Sequence, residues 1–381
     1  MAIYKYWSTV NLDVENDSDA TTVAYFLQNE FCPDGADIMW SAQYLRWKLG
    51  VQSPGGAGIL SCAMHNDEIV GVASLTKKRV LFNGIELIAA EVGDTYTLAS
   101  MMRRGRPERL SQLSQDPSHY VNKSIFGRLI SDLTTQATED GVSFIYGTPN
   151  KNSYPGYTKK LGYLAIEKYQ NTRYLRPTSN LLVRTYKVCK PLEPIIKIFE
   201  SFFVIIQNYI YERILYRGFE FSKGVPSEDE FNKIWTAVKP IRGFTLVRDY
   251  KYWKHRYLEH PIASYEFFTI YKDGILMALA VTRKFASRKD NNSIAIVEWM
   301  MMDDKYFPYI LSCILKFYQK ENVSYYYYWS DSNCEKAPSP MQNLFFIKNN
   351  VPLIFAGTSE AKLLLSKNTP LAFYLGSSDA I

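Results

Sequence analysis

The chain has 381 residues, of which 47% are hydrophobic, 22% charged and 15% aromatic. This is an ordinary globular composition, too apolar for a disordered chain and too long for one typical core, so two domains are expected. Lys and Arg (44) outnumber Asp and Glu (38), and the net charge of +6 suits anionic ligands but forms no long basic stripe for nucleic acid.

The opening MAIYKYWSTV has no charged-then-apolar signal pattern, which predicts a cytoplasmic protein. Five scattered cysteines (Cys32, Cys62, Cys189, Cys313, Cys334) without C-x-x-C spacing fit buried thiols in a reducing compartment and no metal site. A helix is predicted over 19–30, followed by Tyr44-Leu45-Arg46-Trp47-Lys48. Apolar runs at 59–64 and 69–76 flank His65-Asn66-Asp67-Glu68 and predict a hairpin. A strand follows over 85–97. The loop over 98–119 holds Arg103, Arg104, Arg106 and Arg109, whose forked guanidinium groups match phosphate oxygens or simply face water.

A short polar turn, Val121-Asn122-Lys123-Ser124-Ile125-Phe126-Gly127, then opens a helix over 124–140. A strand over 142–148 ends in the loop PNKNSYPGYTKKLGY (149–163). A turn at a helix start leaves free backbone N–H groups, and the helix dipole favours negative charge there. This strand, turn, helix, strand and loop resemble the GNAT superfamily of acyl-CoA-dependent N-acyltransferases over about 80 residues. Ser124 departs from the family's usual glycine, and Tyr157 precedes Gly162 by five residues where four is commoner.

The resemblance implies an α/β (α+β) fold with acetyl-CoA or another acyl-CoA as co-substrate and no metal. It implies a diphosphate anchor on 121–127 and cofactor contacts from Tyr96, Thr97, Asn150 and Ser153. Tyr157, with Tyr154 as competitor, would protonate the departing thiolate, because a phenol is a neutral donor at pH 7. The base would be Glu91 or Asp94. Residues three apart on a strand point to opposite faces, so only one is expected in the cleft, and Glu91 is chosen. Each of these side chains has a plain structural alternative as a packed aromatic or a buried hydrogen-bond partner.

A weak repeat links the two halves. Tyr44-x-x-Trp47-Lys48 recurs as Tyr250-x-x-Trp253-Lys254 (250 − 44 = 206), and Asp67 recurs as Asp273 (273 − 67 = 206). Glu91 and Glu298 differ by 207 (298 − 91), and Val142 and Val323 by 181 (323 − 142); the drop has about the size of the arginine loop. After the second strand (294–302) the chain reads DDKYFPYILSCIL, with no glycine turn for phosphate. Two GNAT-like mixed-sheet domains are therefore expected: 1–178 binding acyl-CoA, a helical linker over 179–225, and a cofactor-free copy over 226–381. Trp47 and Trp253 could stack on substrate, whereas the run 325–329 should be mostly core.

The apolar linker stretch from Ile195 to Leu215 is interrupted by charges and is too short to span a membrane. It should be a helix sandwiched between the domains. The alternative is a face lying on a membrane, with Lys187, Lys190, Arg213 and Arg217 near anionic lipid. The function expected is acyl transfer to a small-molecule primary amine. By resemblance to long tandem members of the superfamily, this is a nucleotide-linked amino sugar of bacterial surface-glycan synthesis. The rival readings are an aminoacyl-tRNA-dependent peptidoglycan-precursor transferase and a non-catalytic CoA-binding scaffold.

Overall fold

The turns that set the sheet are written in the sequence. Asn66-Asp67, Asn83-Gly84 and Asp273-Gly274 all have positive φ at both central residues, as two-residue hairpins of the right twist require. The structure, a computed structural model, describes residues 7–32, 39–103, 124–175, 195, 198–199, 202, 205–206, 209–240, 243–285, 292–321, 323–331, 346–357 and 371–372.

The first half runs β1 (Ser8–Asn11), α1 (Asp17–Phe31), α2 (Ala42–Leu49), β2 (Ile59–His65), β3 (Glu68–Phe82), β4 (Ile85–Thr97), α3 (Ala99–Arg103), α4 (Ile125–Glu139), β5 (Phe144–Gly147) and β6 (Leu164–Leu175). The second runs β7 (Phe219–Lys223), α5 (Glu228–Val238), β8 (Phe244–Leu246), α6 (Tyr250–Trp253), β9 (Glu266–Lys272), β10 (Ile275–Phe285), β11 (Ser293–Met301), α7 (Tyr306–Phe317), β12 (Tyr325–Asp331), β13 (Phe346–Gly357) and β14 (Leu371–Ala372). A Ser227–Glu230 capping box starts α5, with both reciprocal bonds made.

Among the described residues the strands form one mixed sheet ordered β1-β2-β3-β4-β5-β13-β6-β12-β11-β10-β9-β7, with β8 and β14 off this path. The order β2-β3-β4-α4-β5 recurs as β9-β10-β11-α7-β12, and both series end in a parallel pair. The strands after these pairs are exchanged across the middle: β5 takes β13 as its neighbour, and β12 takes β6. The largest core cluster accordingly mixes both halves, with Phe82, Ala89 and Tyr146 packed among Phe231, Trp253, Val281 and Phe355.

Each face of the first half's sheet has its own cover. Leu129, Ile130 and Leu133 of α4 pack on Leu75, Ala90 and Val92. On the opposite face Val23 and Leu27 of α1 and Leu45 and Leu49 of α2 pack on Leu60 and Val72. This alternation decides which face each site residue occupies.

The stretch 195–215 overturns one expectation. Its described residues are helical up to Tyr209 and continue as a wider π-type turn over Ile210–Leu215. Instead of being sandwiched, its apolar residues face outward, with Ile198, Phe199, Phe202 and Ile205 each more than 60% exposed. The run 325–329 behaves as expected, with Tyr326, Tyr328 and Trp329 buried.

Candidate active site

The site begins where two parallel strands part. β4 and β5 pair over Ala89–Phe144, Ala90–Ile145 and Glu91–Tyr146, and there the pairing stops. On its other edge all of β5 pairs with β13, and Gly147, opposite Ile354, keeps that neighbour alone. A Cβ at Gly147 would lie 2.6 Å from Val92 Cγ1, so only glycine lets the backbones pass at this point. Beyond Glu91 the β5-facing edge of β4 has no strand partner among the described residues.

Just past this point β4 carries a bulge. The register with β3 shifts between Ser74–Gly93 and Val72–Tyr96, and Asp94 sits in the left-handed region at φ 48°. The bulge corrects the strict alternation expected of Glu91 and Asp94. Glu91 lies opposite Thr76, while Asp94 accepts a hydrogen bond from Ser74 Oγ at 2.7 Å. Ser74 and Thr76 share one face, so the extra residue brings both acids to it. Both are paired with lysines. Lys48 Nζ donates to Asp94 at 2.8 Å, with both side chains buried, and Lys78 Nζ lies 3.3 Å from Glu91. Glu91 is 2% exposed, and Lys78 stands between it and open space.

Tyr157 approaches from the other face. It lies in the π-type turn Gly156–Lys160, buried in the α4-side cluster with Ala90, Val92 and Tyr163. Its hydroxyl is 3.2 Å from Thr95 Oγ1 on β4, so the phenol reaches across the parting strands. Phe126, at the start of α4, packs edge-on against the ring at 5.0 Å, and a Cβ on Gly156 would collide with it at 2.8 Å. The competitor Tyr154 only borders this cluster.

The proposed diphosphate anchor is described in part; Val121, Asn122 and Lys123 lie outside the described residues. Ser124 is the N-cap of α4, its Oγ accepting from Gly127 N at 3.3 Å, and Ile125 is buried against Gly71. Asn150 turns its carboxamide oxygen onto its own loop, accepting from the N–H groups of Asn152 (2.9 Å) and Ser153 (3.0 Å). Ser153 Oγ bonds the same oxygen. Tyr96 faces α1, its hydroxyl bonded to Glu30; that bond, with burial, pushes the phenol up to about 12. Thr97 pairs with Gly71 at the end of β4.

On the Glu91 face a narrow cleft of about 30 Å³, open to solvent, lies between the halves. Lys48, Thr76 and Lys78 line it from one half, and Tyr252, His255 and Arg256 from the other. Trp47 lines it too, donating from Nε1 to the His255 carbonyl at 2.9 Å and stacking on that imidazole at 5.0 Å. Burial, with the nearby Lys78 charge, lowers His255 to about 4. Trp253 is corrected: it is wholly buried, its Nε1 bonded to the Arg248 carbonyl, and no substrate can stack on it. Arg103 ends α3, and Arg104 lies outside the described residues. Among the described residues no group of three His, Cys, Asp or Glu could hold a metal.

Sequence reasoning missed Lys48, Lys78, Thr95 and His255. Lys48 was visible inside the repeated Tyr-x-x-Trp-Lys motif. The other three carry no local pattern, because their roles arise from pairing across β3, β4 and the two halves.

No protein-family model matches the chain, and no curated protein matches it in sequence. Solved structures do match in fold. A conserved protein of unknown function from Enterococcus faecalis V583, described as a probable N-acyltransferase, aligns over 92% of this chain and 72% of its own, at 10% identity and a TM-score of 0.56. A GCN5-related N-acetyltransferase from Anabaena variabilis aligns over 94% and 74%, at 9% identity and a TM-score of 0.54. An N-myristoyltransferase from Saccharomyces cerevisiae with bound myristoyl-CoA aligns over 93% and 79%, at 12% identity and a TM-score of 0.50. The chain therefore has the mixed α/β fold of these N-acyltransferases.

Proposed function

We propose that the chain is an N-acyltransferase that moves an acetyl or other short acyl group from acyl-CoA to a primary amine. One observation carries the reading: Glu91 and Tyr157 flank β4 from opposite faces, at the point where β4 and β5 part. The residues present fit an extended acyl-CoA arm, with an unpaired strand edge beyond Glu91 and first-turn amides of α4 at its end. Acyl-CoA supplies the activated thioester. Everything else falls to the chain's own groups.

The amine enters from the cleft on the Glu91 face, and its proton passes to the Glu91 carboxylate through a water beside Lys78. Lys78 Nζ, 3.3 Å from that carboxylate, marks the side from which the water reaches it. The nitrogen bonds to the acyl carbon and the C–S bond breaks. Oriented strand amides past Glu91 polarise the carbonyl, and the thiolate takes the Tyr157 proton. The second half lacks a glycine turn and serves as a cofactor-free copy that closes the cleft. An amino sugar, free or nucleotide-linked, is the proposed acceptor; the cationic residues lining the cleft suit an anionic group on it.

The test is thiol release by the full chain, with acyl-CoAs against a panel of amines and nucleotide-linked amino sugars. Turnover with at least one amine, and heat on titrating CoA, are expected. Absence of heat with every CoA derivative would end this reading. The second reading, a CoA-binding scaffold, is favoured by Ser124 occupying the Gly127 amide, and predicts heat without thiol release.

A further inference from the structure

One buried hydroxyl in the cleft is left unbonded by the fold. Thr76 of β3 stands directly across from Glu91 of β4, and cross-strand partners send their side chains to the same face. The residue lines the cleft and is 3% exposed. Its Oγ1 is shut off from bulk solvent and has no hydrogen-bond partner among the described residues. Buried hydroxyls are nearly always bonded, and a valine would fill the same volume without burying an oxygen. Other buried oxygens in that condition, such as Ser61 Oγ and Thr245 Oγ1, do not line the cleft.

The neighbouring pair shows what such a hydroxyl does when it serves the scaffold. Two residues back on the same face of β3, Ser74 Oγ donates to Asp94 at 2.7 Å, and Lys48 Nζ reaches the same carboxylate from α2. The Thr76–Glu91 pair has the same two groups, but they are not bonded to each other. In the second half the matching position at the end of the parallel pair is Ala295, with Arg283 across from it. Neither the acid nor the hydroxyl recurs there.

The cleft has about 30 Å³ of free space, and a held water needs about 10–15 Å³ and a few polar partners. Thr76 and Glu91 offer two acceptors from one face. We infer that Thr76 is a positioning residue whose Oγ1 holds the water through which Glu91 takes the amine proton. The water accepts the proton from the acceptor nitrogen as it gives one of its own to the Glu91 carboxylate. Its other hydrogen points at Thr76 Oγ1, and the threonine keeps its own proton throughout. The inference rests on the acyl-transfer reading and names the group that fixes the proton's path.

Thr76→Val and Thr76→Ser test it in the full chain, by thiol release with acetyl-CoA and the amine of the panel that the wild type turns over fastest. Valine is expected to lower kcat about tenfold to a hundredfold with KM for acetyl-CoA within about twofold, and serine to keep kcat within about threefold of the wild type. In a Glu91→Gln background the valine change should cost less than about twofold more, because the water it positions no longer has a base to reach. The unfolding midpoint of Thr76→Val should equal or exceed that of the wild type, since an unbonded buried oxygen is removed. Valine with wild-type kcat, equal losses with serine and valine, or a full further loss on top of Glu91→Gln overturns the inference and leaves Glu91 as the base. So does a valine chain that unfolds more readily than the wild type, which would make the hydroxyl a scaffold group. A wild type that releases no thiol with any amine removes the acyl-transfer reading itself, and the inference with it.

Discussion

The two parallel strand pairs, β4 with β5 and β11 with β12, share geometry but not contents. Each pairs over three residues before parting, ending at Glu91–Tyr146 in one and Ala295–Tyr327 in the other. Each has an acid three positions further on, at a bulge: Asp94 in β4 and Glu298 in β11. Register therefore makes Glu298 the counterpart of Asp94, not of Glu91 as sequence offset implied. Both acids are tied to the helices over them, Asp94 by Lys48 and Glu298 by the hydroxyls of Tyr252 (2.9 Å) and Tyr257. The mouths differ. In the second pair Trp299, Phe307 and Tyr328 fill the opening with rings 4.8–5.7 Å apart, and Pro308 follows an N-cap, Lys305, whose side chain does not cap the helix. In the first pair Tyr157 reaches across by its hydroxyl, to Thr95. A bulge acid is thus part of the scaffold in both pairs, and Glu91 is what the first has and the second lacks.

Breaking that distinction should give the largest effects. Glu91→Gln should lower thiol release by about 10²–10⁴-fold while the unfolding midpoint moves little. Glu298→Ala should do the reverse: turnover of the folded fraction stays, and stability drops by about 3–5 kcal/mol in urea unfolding, because two buried hydroxyls and the Arg248 ion pair lose their acceptor. Equal loss of turnover in both variants would mean that Glu91 is as structural as Glu298. Lys48→Met should behave like Glu298→Ala, destabilising by about 3–5 kcal/mol, since it strands Asp94 beneath α2.

Why the chain shows some of this in its letters and hides the rest follows from range. Asn83-Gly84 and Asp273-Gly274 announce their hairpins, and Ser227–Glu230 announces α5, because each is decided within four residues. The exchange of β6 and β13 had no such signal, since which strand each takes as neighbour is decided between segments far apart in the chain. The shared face of Glu91 and Asp94 was hidden for a related reason. One bulge residue reverses alternation, and only the register with β3 reveals it. Trp253 misled because its match to Trp47 is real in position, yet one indole borders the cleft and the other is sealed under Phe231 and Tyr257.

Smaller effects sharpen the same contrast. Tyr157→Phe should slow thiol release by about tenfold to a hundredfold, with little change in CoA affinity. Thr95→Val, which removes only the partner of that hydroxyl, should cost less than Tyr157→Phe in the same assay. His255 gives a pH signature at the join between the halves. Its imidazole titrates near 4 in the folded chain against 6.5 when free, so between those values the unfolded chain binds the extra proton. Stability from this group is full above about pH 6.5 and is lost as pH falls toward 4. Urea midpoints of His255→Gln should decline less across that window than those of the wild type.

The smallest change addresses the turn itself. Ser124→Gly removes the Oγ that accepts from the Gly127 N–H, and a glycine N-cap costs only a few tenths of a kcal/mol relative to serine. If the start of α4 holds a diphosphate, the freed amide gains an anionic acceptor, and CoA should bind several-fold more tightly by calorimetry. Lys305→Gly, the matching change at the start of α7, removes no side-chain cap and faces an aromatic plug, so it should leave CoA binding untouched. A Ser124→Gly chain that binds CoA more weakly would show that serine helps to hold the ligand, and would remove the case for a competing cap.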